Sequence, residues 1–348
     1  MSTIQIGVDL AKTVFEVAIS ETPGVVHARR RLSRAAFPRF LAGHAPAEVL
    51  LEACGSAHHW GREALRCGHQ VKLLHPADVA RYRDGNKTDR ADAKALLEAV
   101  RNRDLTPVPV KSVEQQAVVA LHRIRQGYLR TRTARINALR GHLRELGHTI
   151  PVGARRVTLE ARVALADDAI PSFLRDALVV LLEEIRALEE KAEAVRTSLT
   201  ALSRDMPDVQ GLLTVPGVGV LTATAMVALV GDIHRFRSGR QFASWLGLTP
   251  REHSSGASRR LGSITRKGNS YLRMLLIHGA RSALRAGAVT DQPDDLRTWA
   301  KEVALRHCHN VAAVALANKI ARICWRTWRD GRDFERRAPR REGQTADC

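Results

Sequence analysis

The sequence predicts a mixed α/β domain followed by a longer, mainly helical region. Three observations carry this. The N-terminal stretch alternates short apolar runs with turn residues and helical patterns. From Val113 onward, apolar positions recur at helical spacing. The last third joins apolar helices through Gly-rich loops.

Ile4–Asp9, Val14–Ser20 and Val25–Leu32 are candidate strands. Glu21-Thr22-Pro23-Gly24 supplies turn chemistry between the second and third, so the three form a meander. A helix over Ala35–Ala42, a strand over Glu48–Glu52, a helix over Ala57–Cys67 and a strand over His69–Leu74 follow. Helices over Pro76–Arg83 and Thr88–Val100 end before Thr106-Pro107. Val113–Leu146 has Val118, Leu121, Ile124, Leu129, Ile136, Leu139 and Leu143 at helical spacing, with many Arg between them. Beyond Pro171, the residues Ile185, Leu188, Ala192, Val195, Leu199 and Leu202 form a heptad seam. It suits an antiparallel hairpin within one chain or a coiled coil between chains. Asn310–Trp328 is a well-patterned final helix. The expected organisation is an α/β domain over 1–108, a helical or coiled-coil region over 109–204, a mainly α domain over 205–328 and a basic, disordered tail over 329–348.

Composition bounds the partners. The chain has 348 residues and a formal charge of +19, from 55 Lys and Arg against 36 Asp and Glu. So large a charge opposes compaction, and nucleic acid is its commonest reason, because Lys and Arg displace counterions condensed on phosphate. Lipidation signals and basic amphipathic anchors, which a membrane partner would bring, are not found. Aromatics make up 4%, so the core is expected to rest on Leu, Val, Ile and Ala. The five cysteines have no zinc-ligand spacing and read as reduced thiols. Cys308 lies between His307 and His309 without a second ligand pair. Met1–Ile6 lacks the features of a signal peptide, so a cytoplasmic location is expected. The uncharged run Leu212–Gly231 is broken by Pro216-Gly217-Val218-Gly219, leaving a helix too short to cross a bilayer.

Two constellations carry chemistry. Asp9 ends the first strand in IGVDLAK, Glu52 ends the EVLLE strand, and Asp89 and Asp92 share a helix face in KTDRADAKAL. Acids at neighbouring strand ends and on an adjacent helix can converge on one or two Mg²⁺ ions, which stabilise attacking and leaving oxygens in phosphoryl transfer. Each also has a plainer reading: Asp9 as a turn cap, and Asp89 as a helix N-cap with Asp92 at N3. Glu52 follows three apolar residues, where an unpartnered carboxylate is costly.

In the C-terminal part, VPGVG over Val215–Gly219 resembles a helix-hairpin-helix, in which Pro216, Gly217 and Gly219 let backbone amides approach a phosphate. A plain turn between core helices is the other reading. Leu248–Arg273 is the densest chemistry, with Ser254-Ser255-Gly256 amid Arg259, Arg260, Arg266, Lys267 and Arg273. A serine hydroxyl ringed by cations suits attack on a phosphodiester. A basic loop that only holds the DNA backbone is the alternative.

IGVDLAK, LLEACG, KTDRADA, VPGVG and LTPREHSSG…RLGSITRKGN together resemble the DEDD-type transposases of insertion-sequence family one-hundred-ten, relatives of Piv-like DNA invertases. The resemblance spans residues 3 to about 285. It implies an RNase H-like (RuvC-like) N-terminal domain, a helical coiled-coil insertion and a C-terminal transposase domain. It places the family acids on Asp9, Glu52, Asp89 and Asp92, with Mg²⁺ or Mn²⁺ as cofactor, and the nucleophile on Ser255, with Ser254 in reserve. It further implies double-stranded DNA and an element-encoded guide RNA as partners, self-association to a dimer or tetramer, and a nucleoid-associated bacterial protein.

Overall fold

The computed structural model describes residues 4–86, 88–256, 258–286 and 295–335. The chain divides into two compact units, Met1–Gln116 and Ala117–Cys348.

The first unit is built on a five-stranded mixed sheet of order β3-β2-β1-β4-β5. Its strands are β1 (Gln5–Leu10), β2 (Val14–Ser20), β3 (Ala28–Ser33), β4 (Glu48–Glu52) and β5 (Gln70–Leu74). The expected meander is present: β1 pairs antiparallel with β2, and β2 with β3. β4 then joins the other side of β1 in parallel, and β5 extends it. Such parallel returns need crossover helices. Helices α1 (Phe37–Gly43) and α2 (Ala57–Arg66) supply them and cover one face. There Phe15, Phe37 and Trp60 meet at centroid distances of 5.1–5.3 Å, so aromatics do centre this core despite their scarcity. The opposite face carries α3 (Pro76–Val79) and α4 (Asp89–Ala99), packed on Ala18, Leu50 and Leu74. The helix expected over Pro76–Arg83 tightens to a 3-10 turn at Ala80–Tyr82 and stops because Arg83 is extended.

Alternation fixes which residues face α4. Leu50 packs with Ala93 and Leu96, whereas Val49 and Leu51 pack on the α2 side. Gly7 is the point of closest approach: a Cβ there would stand 2.5 Å from the Ala93 carbonyl oxygen. Glycine inside a strand marks such an approach.

The second unit is helical. Helix α5 (Val113–Glu145) begins at its edge and runs through it, followed by α6 (Ala154–Leu165) and α7 (Ser172–Ser203). α5 and α7 pack antiparallel within the chain, through Arg132–Glu189 at 3.1 Å and Arg135–Glu184 at 2.8 Å. Ile136, Leu139 and Leu143 of α5 share a core with Leu178, Leu182 and Ile185 of α7, and Val118 and Val119 share another with Leu199. Leu202, expected on the seam, is exposed.

The remaining helices are α8 (Pro207–Leu213), α9 (Val220–Val230), α10 (Gly239–Trp245), α11 (Ser270–Ala286), α12 (Asp295–Arg306) and α13 (His309–Asp330). They enclose one apolar core. Among the described residues, no helix is long and apolar enough to cross a membrane. α13 runs on to Asp330, ends at Gly331 in a left-handed conformation, and Phe334 docks back, its amide 2.8 Å from Thr214 Oγ1. Residues 329–335 of the expected tail are therefore part of the fold, and the rest of it, 336–348, lies outside the described residues.

A buried polar network ties α5 to α9 and α11. His122, 2% exposed, lies 2.9 Å from the Tyr271 hydroxyl through Nδ1 and 3.0 Å from Thr224 Oγ1 through Nε2. Thr224 donates its proton to Val220 O, so His122 Nε2 must donate to Thr224, and Tyr271 donates to Nδ1. The imidazole is thereby held neutral. Burial, helped by the Arg125 charge, lowers its pKa to about 4.

Candidate functional site

The acidic residues lie toward one corner of the first unit. The β1–β4 register runs from Gln5↔Glu48 to Val8↔Leu51, so Asp9 and Glu52 are the next residues on adjacent parallel strands. Asp9 is two residues beyond Gly7, and Glu52 two beyond Leu50, which sets both on the α4 face. The helix direction follows from two contacts. Its C-terminal neighbour Arg101 lies against Gly24, in the turn beyond the β2 end that pairs with Gln5, while Ala93 sits over Gly7. The first turn of α4, with Asp89 and Asp92, therefore points toward the strand ends that carry Asp9 and Glu52. Cys54 registers the same corner: burial first, then the negative charges of Glu52 and Asp9, push its thiol pKa up.

The capping reading of Asp89 is replaced. Thr88 is the N-cap, and its hydroxyl accepts from the Ala91 amide. Asp89 and Asp92 thus occupy the first turn without the cap role, where the helix dipole still favours their charge. The burial expected of Glu52 belongs instead to Glu48, which Lys72 and Gln5 Nε2 (2.8 Å) satisfy, while Glu52 is half-buried.

The carboxylates are not gathered into a cage. Among the described residues, no three His, Cys, Asp or Glu side chains stand close enough to hold a metal ion. Asp92 is buried and ion-paired with Arg83 Nε. Four carboxylates are nevertheless hard oxygen donors, the set that suits Mg²⁺ or Mn²⁺. Sequence reasoning missed three residues here. Gly7 was visible as a glycine within a strand. Arg83 gave no signal. Glu16, opposite Asp9 in the register and paired with Arg31 at 3.5 Å, was visible only once β2 was aligned with β1.

The serine segment is a β-ribbon rather than the expected loop. Strands β6 (Pro250–Glu252) and β7 (Leu261–Ile264) pair antiparallel, and Ser255 bridges Ser258 at the tip. The two serines differ. Ser254 Oγ donates to Glu252 Oε1 at 2.8 Å and accepts from the Arg260 amide at 3.2 Å, so it closes the ribbon. The exposed Ser255 uses its backbone in the bridge, and among the described residues its hydroxyl has no hydrogen-bond partner. Arg259 and Arg260 are exposed on the ribbon, with Arg259 3.3 Å from Glu252, and Arg266 and Lys267 are exposed beyond β7 at its base.

Arg273, expected at a phosphate, also acts as a clamp. Its Nη1 donates to the carbonyls of Leu246 at 2.9 Å and Lys267 at 3.0 Å, joining the end of α10 to the segment after β7. Pro216 and Gly217 likewise have a place in the packing. Pro216 is buried, and a Cβ on Gly217 would stand 2.7 Å from Gly279 O, so that glycine admits the close approach of α11. Gly219 alone of the three is exposed, with open space around its Cα.

Residues 6–148 match the DEDD transposase model of the IS110 group, which sets the class: a transposase. Residues 209–293 match the model described as Transposase IS116/IS110/IS902 family. A probable family 20 transposase of Pseudomonas aeruginosa is 43% identical, over 93% of this chain and 96% of its own. The transposase for insertion sequence element IS1111A of Coxiella burnetii is 40% identical, over 92% and 88%. That for IS1328 of Yersinia enterocolitica is 34% identical, over 95% and 98%. The chain belongs to the IS116/IS110/IS902 transposase family.

Proposed function

We propose that this insertion-sequence transposase cuts and rejoins DNA through a phosphoserine on Ser255, with Mg²⁺ or Mn²⁺ held by Asp9, Glu52, Asp89 and Asp92. The observation that carries the reading is the convergence of Asp9 and Glu52, on adjacent strand ends, beneath the first turn of α4. The sheet order and its helices on both faces support an RNase H-like (RuvC-like) first domain, and the α5–α7 pairing supports a coiled-coil insertion folded within the chain.

Ser255 Oγ bonds to phosphorus while the bond from phosphorus to a sugar oxygen breaks. The departing oxygen takes the proton. A sugar hydroxyl of a second strand then attacks the phosphoserine, one phosphodiester forms for each one broken, and Ser255 is returned. A bound cation supplies positive charge at the phosphoryl oxygens. Arg259, Arg260, Arg266 and Lys267 hold the phosphate, and Asp92 becomes available when Arg83 turns away. Partners are duplex DNA and an element-encoded guide RNA, in a dimer or tetramer in the bacterial cytoplasm, at the nucleoid. The charge of +19 supports binding both nucleic acids.

The test is a denaturing gel after incubation with labelled element-end DNA and Mg²⁺. Wild type leaves a protein–DNA adduct, and Ser255→Ala leaves none. An adduct retained by Ser255→Ala refutes the assignment. Cleavage by that variant without any adduct identifies a metal-only nuclease. Sequencing of co-purified RNA tests the guide, and mixing Asp9→Asn with Ser255→Ala tests whether separate subunits supply the acids and the serine.

A further inference from the structure

Helix α13 lies outside both matched stretches, yet it carries a regular row of cations. Lys319, Arg322, Arg326 and Arg329 follow at spacings of three and four, which aligns them on one helix face. The row spans about 15 Å at 1.5 Å per residue. That is roughly the length of four base-pair steps of 3.4 Å.

The row is not an ordinary solvated face. It borders a cleft of ≈ 640 Å³ between α13 and the start of α10, whose lining includes Arg240, Lys319, Arg322 and Arg326 and no carboxylate. α10 is seated there by Gly239, where a Cβ would stand 3.2 Å from the Arg322 Cα, so the Arg240 and Arg322 backbones are fixed close together. Two of the cations rest on aromatic rings. Lys319 Nζ lies 4.2 Å from the Trp299 ring centre and the Arg329 guanidinium 4.9 Å from that of Trp325. Trp325 is held in turn by its indole N–H, which donates to Phe236 O at 3.2 Å. Supported side chains have less rotamer freedom to lose on binding. Asp295, Asp330, Asp333 and Glu335 line a neighbouring cleft that Lys319 and Arg326 also border, and Arg326 pairs with Asp330 there. An exposed pair of this kind costs little to open.

We infer that the α10–α13 cleft is a docking groove for the sugar–phosphate backbone of duplex DNA, gripped by Arg240, Lys319, Arg322 and Arg326. The inference rests on the chain acting on DNA and not on the acid-and-serine chemistry. Duplex DNA is the occupant because its phosphates recur at a spacing a straight helical row can follow, and because the groove offers no exposed aromatic face for unpaired bases.

The test uses the full chain and a labelled 30-base-pair duplex, with binding followed by fluorescence anisotropy from 50 to 300 mM salt. The variants are Arg240→Gln/Arg322→Gln and, independently, Lys319→Gln/Arg326→Gln. A charge-matched control removes Arg186 and Arg196 on α7. Loss of two phosphate contacts lowers the slope of log K against log salt by roughly two, and weakens binding at 0.1 M at least tenfold. Melting curves matching wild type separate this from unfolding. A slope equal to that of the control overturns the inference, as does a loss confined to an RNA hairpin probe. A wild-type chain that binds no duplex overturns both this and the DNA reading. Groove variants that bind as wild type does overturn this one alone.

Discussion

Gly7→Ala tests whether the helix above the sheet positions the acids. The new Cβ stands 2.5 Å from Ala93 O, 3.3 Å from Leu97 Cγ and 3.5 Å from Leu96 Cβ. The first contact is with backbone, which no rotamer change relieves. Restoring an ordinary separation moves α4 away from β1 by roughly 1 Å, and overpacking of this kind costs about 1–3 kcal/mol. Asp89 and Asp92 ride on that helix while Asp9 and Glu52 stay on the sheet. A displacement of 1 Å at a catalytic constellation costs on the order of 10²-fold in rate. The variant is therefore expected to melt several degrees lower and to lose about two orders of magnitude in transposition frequency. Two controls isolate the cause. Val49→Ala, on the α2 side of the sheet, costs roughly 2 kcal/mol by lost burial and cavity formation, yet leaves α4 seated. Gly43→Ala, at an exposed helix end with nothing within 4 Å, is near neutral in both assays. If Gly7→Ala keeps wild-type melting and activity, or if Val49→Ala loses as much activity at equal stability, the positioning argument is wrong.

Ser254→Ala removes the hydroxyl that closes the ribbon and costs roughly 1 kcal/mol locally; element-end cleavage assays should show a partial loss, against complete loss for Ser255→Ala. Arg83→Gln leaves Asp92 buried without its cation, a change on the order of 3 kcal/mol. In calorimetry without metal it should melt below wild type, and Mg²⁺ should raise its melting point more than that of wild type. An equal Mg²⁺ response in both proteins would remove Asp92 from the cation site. His122 ties stability to acid: unfolded, its pKa is the ordinary 6.5, and folded it is about 4, so the unfolded chain binds the extra proton between them. Stability is complete above pH 6.5 and falls by roughly 3 kcal/mol as pH drops to 4. Urea midpoints of wild type and His122→Gln across this range should show the steeper slope only in wild type.

The α/β unit was legible because its local signals agree. Apolar runs, the Glu21–Gly24 turn and the acids that end two of the strands marked β1 to β5, and the observed strands begin and end within three residues of those expected. Position of the serine ribbon was legible from composition, but its form was not. Leu261–Ile264 has only two apolar residues, an exposed Leu261 and a half-buried Ile264, so no hydrophobic alternation announces a strand. Its pairing rests on backbone hydrogen bonds and on Ser254, which local sequence does not reveal. The packing roles of Arg273 and Gly217 were hidden for a related reason. Arginine near serine and glycine near proline suit phosphate, yet they suit backbone carbonyls and close helix packing equally well. Only the partners decide, and Gly279 lies 62 residues from Gly217.

The two halves of the proposed chemistry are built to different rigidity, and that difference has a consequence. Asp9 and Glu52 extend strands whose preceding residues, Val8 and Leu51, are fully buried. Ser255 instead sits at the tip of a short two-stranded ribbon with every described residue from Pro250 to Ser263 exposed. Such a ribbon is at best marginally stable by itself. Its base, by contrast, is fixed: a Cβ on Gly247 or Gly268 would collide with opposing backbone, and Arg273 bridges the same strands of chain. A firm base and an unpacked tip allow the hydroxyl to be ordered by the phosphate it attacks, with Arg259 and Arg260 gaining contacts only when DNA is present. Shortening the ribbon would then raise KM and lower kcat together. Removing Asp9 would lower kcat alone, because the sheet edge is already in place before substrate arrives.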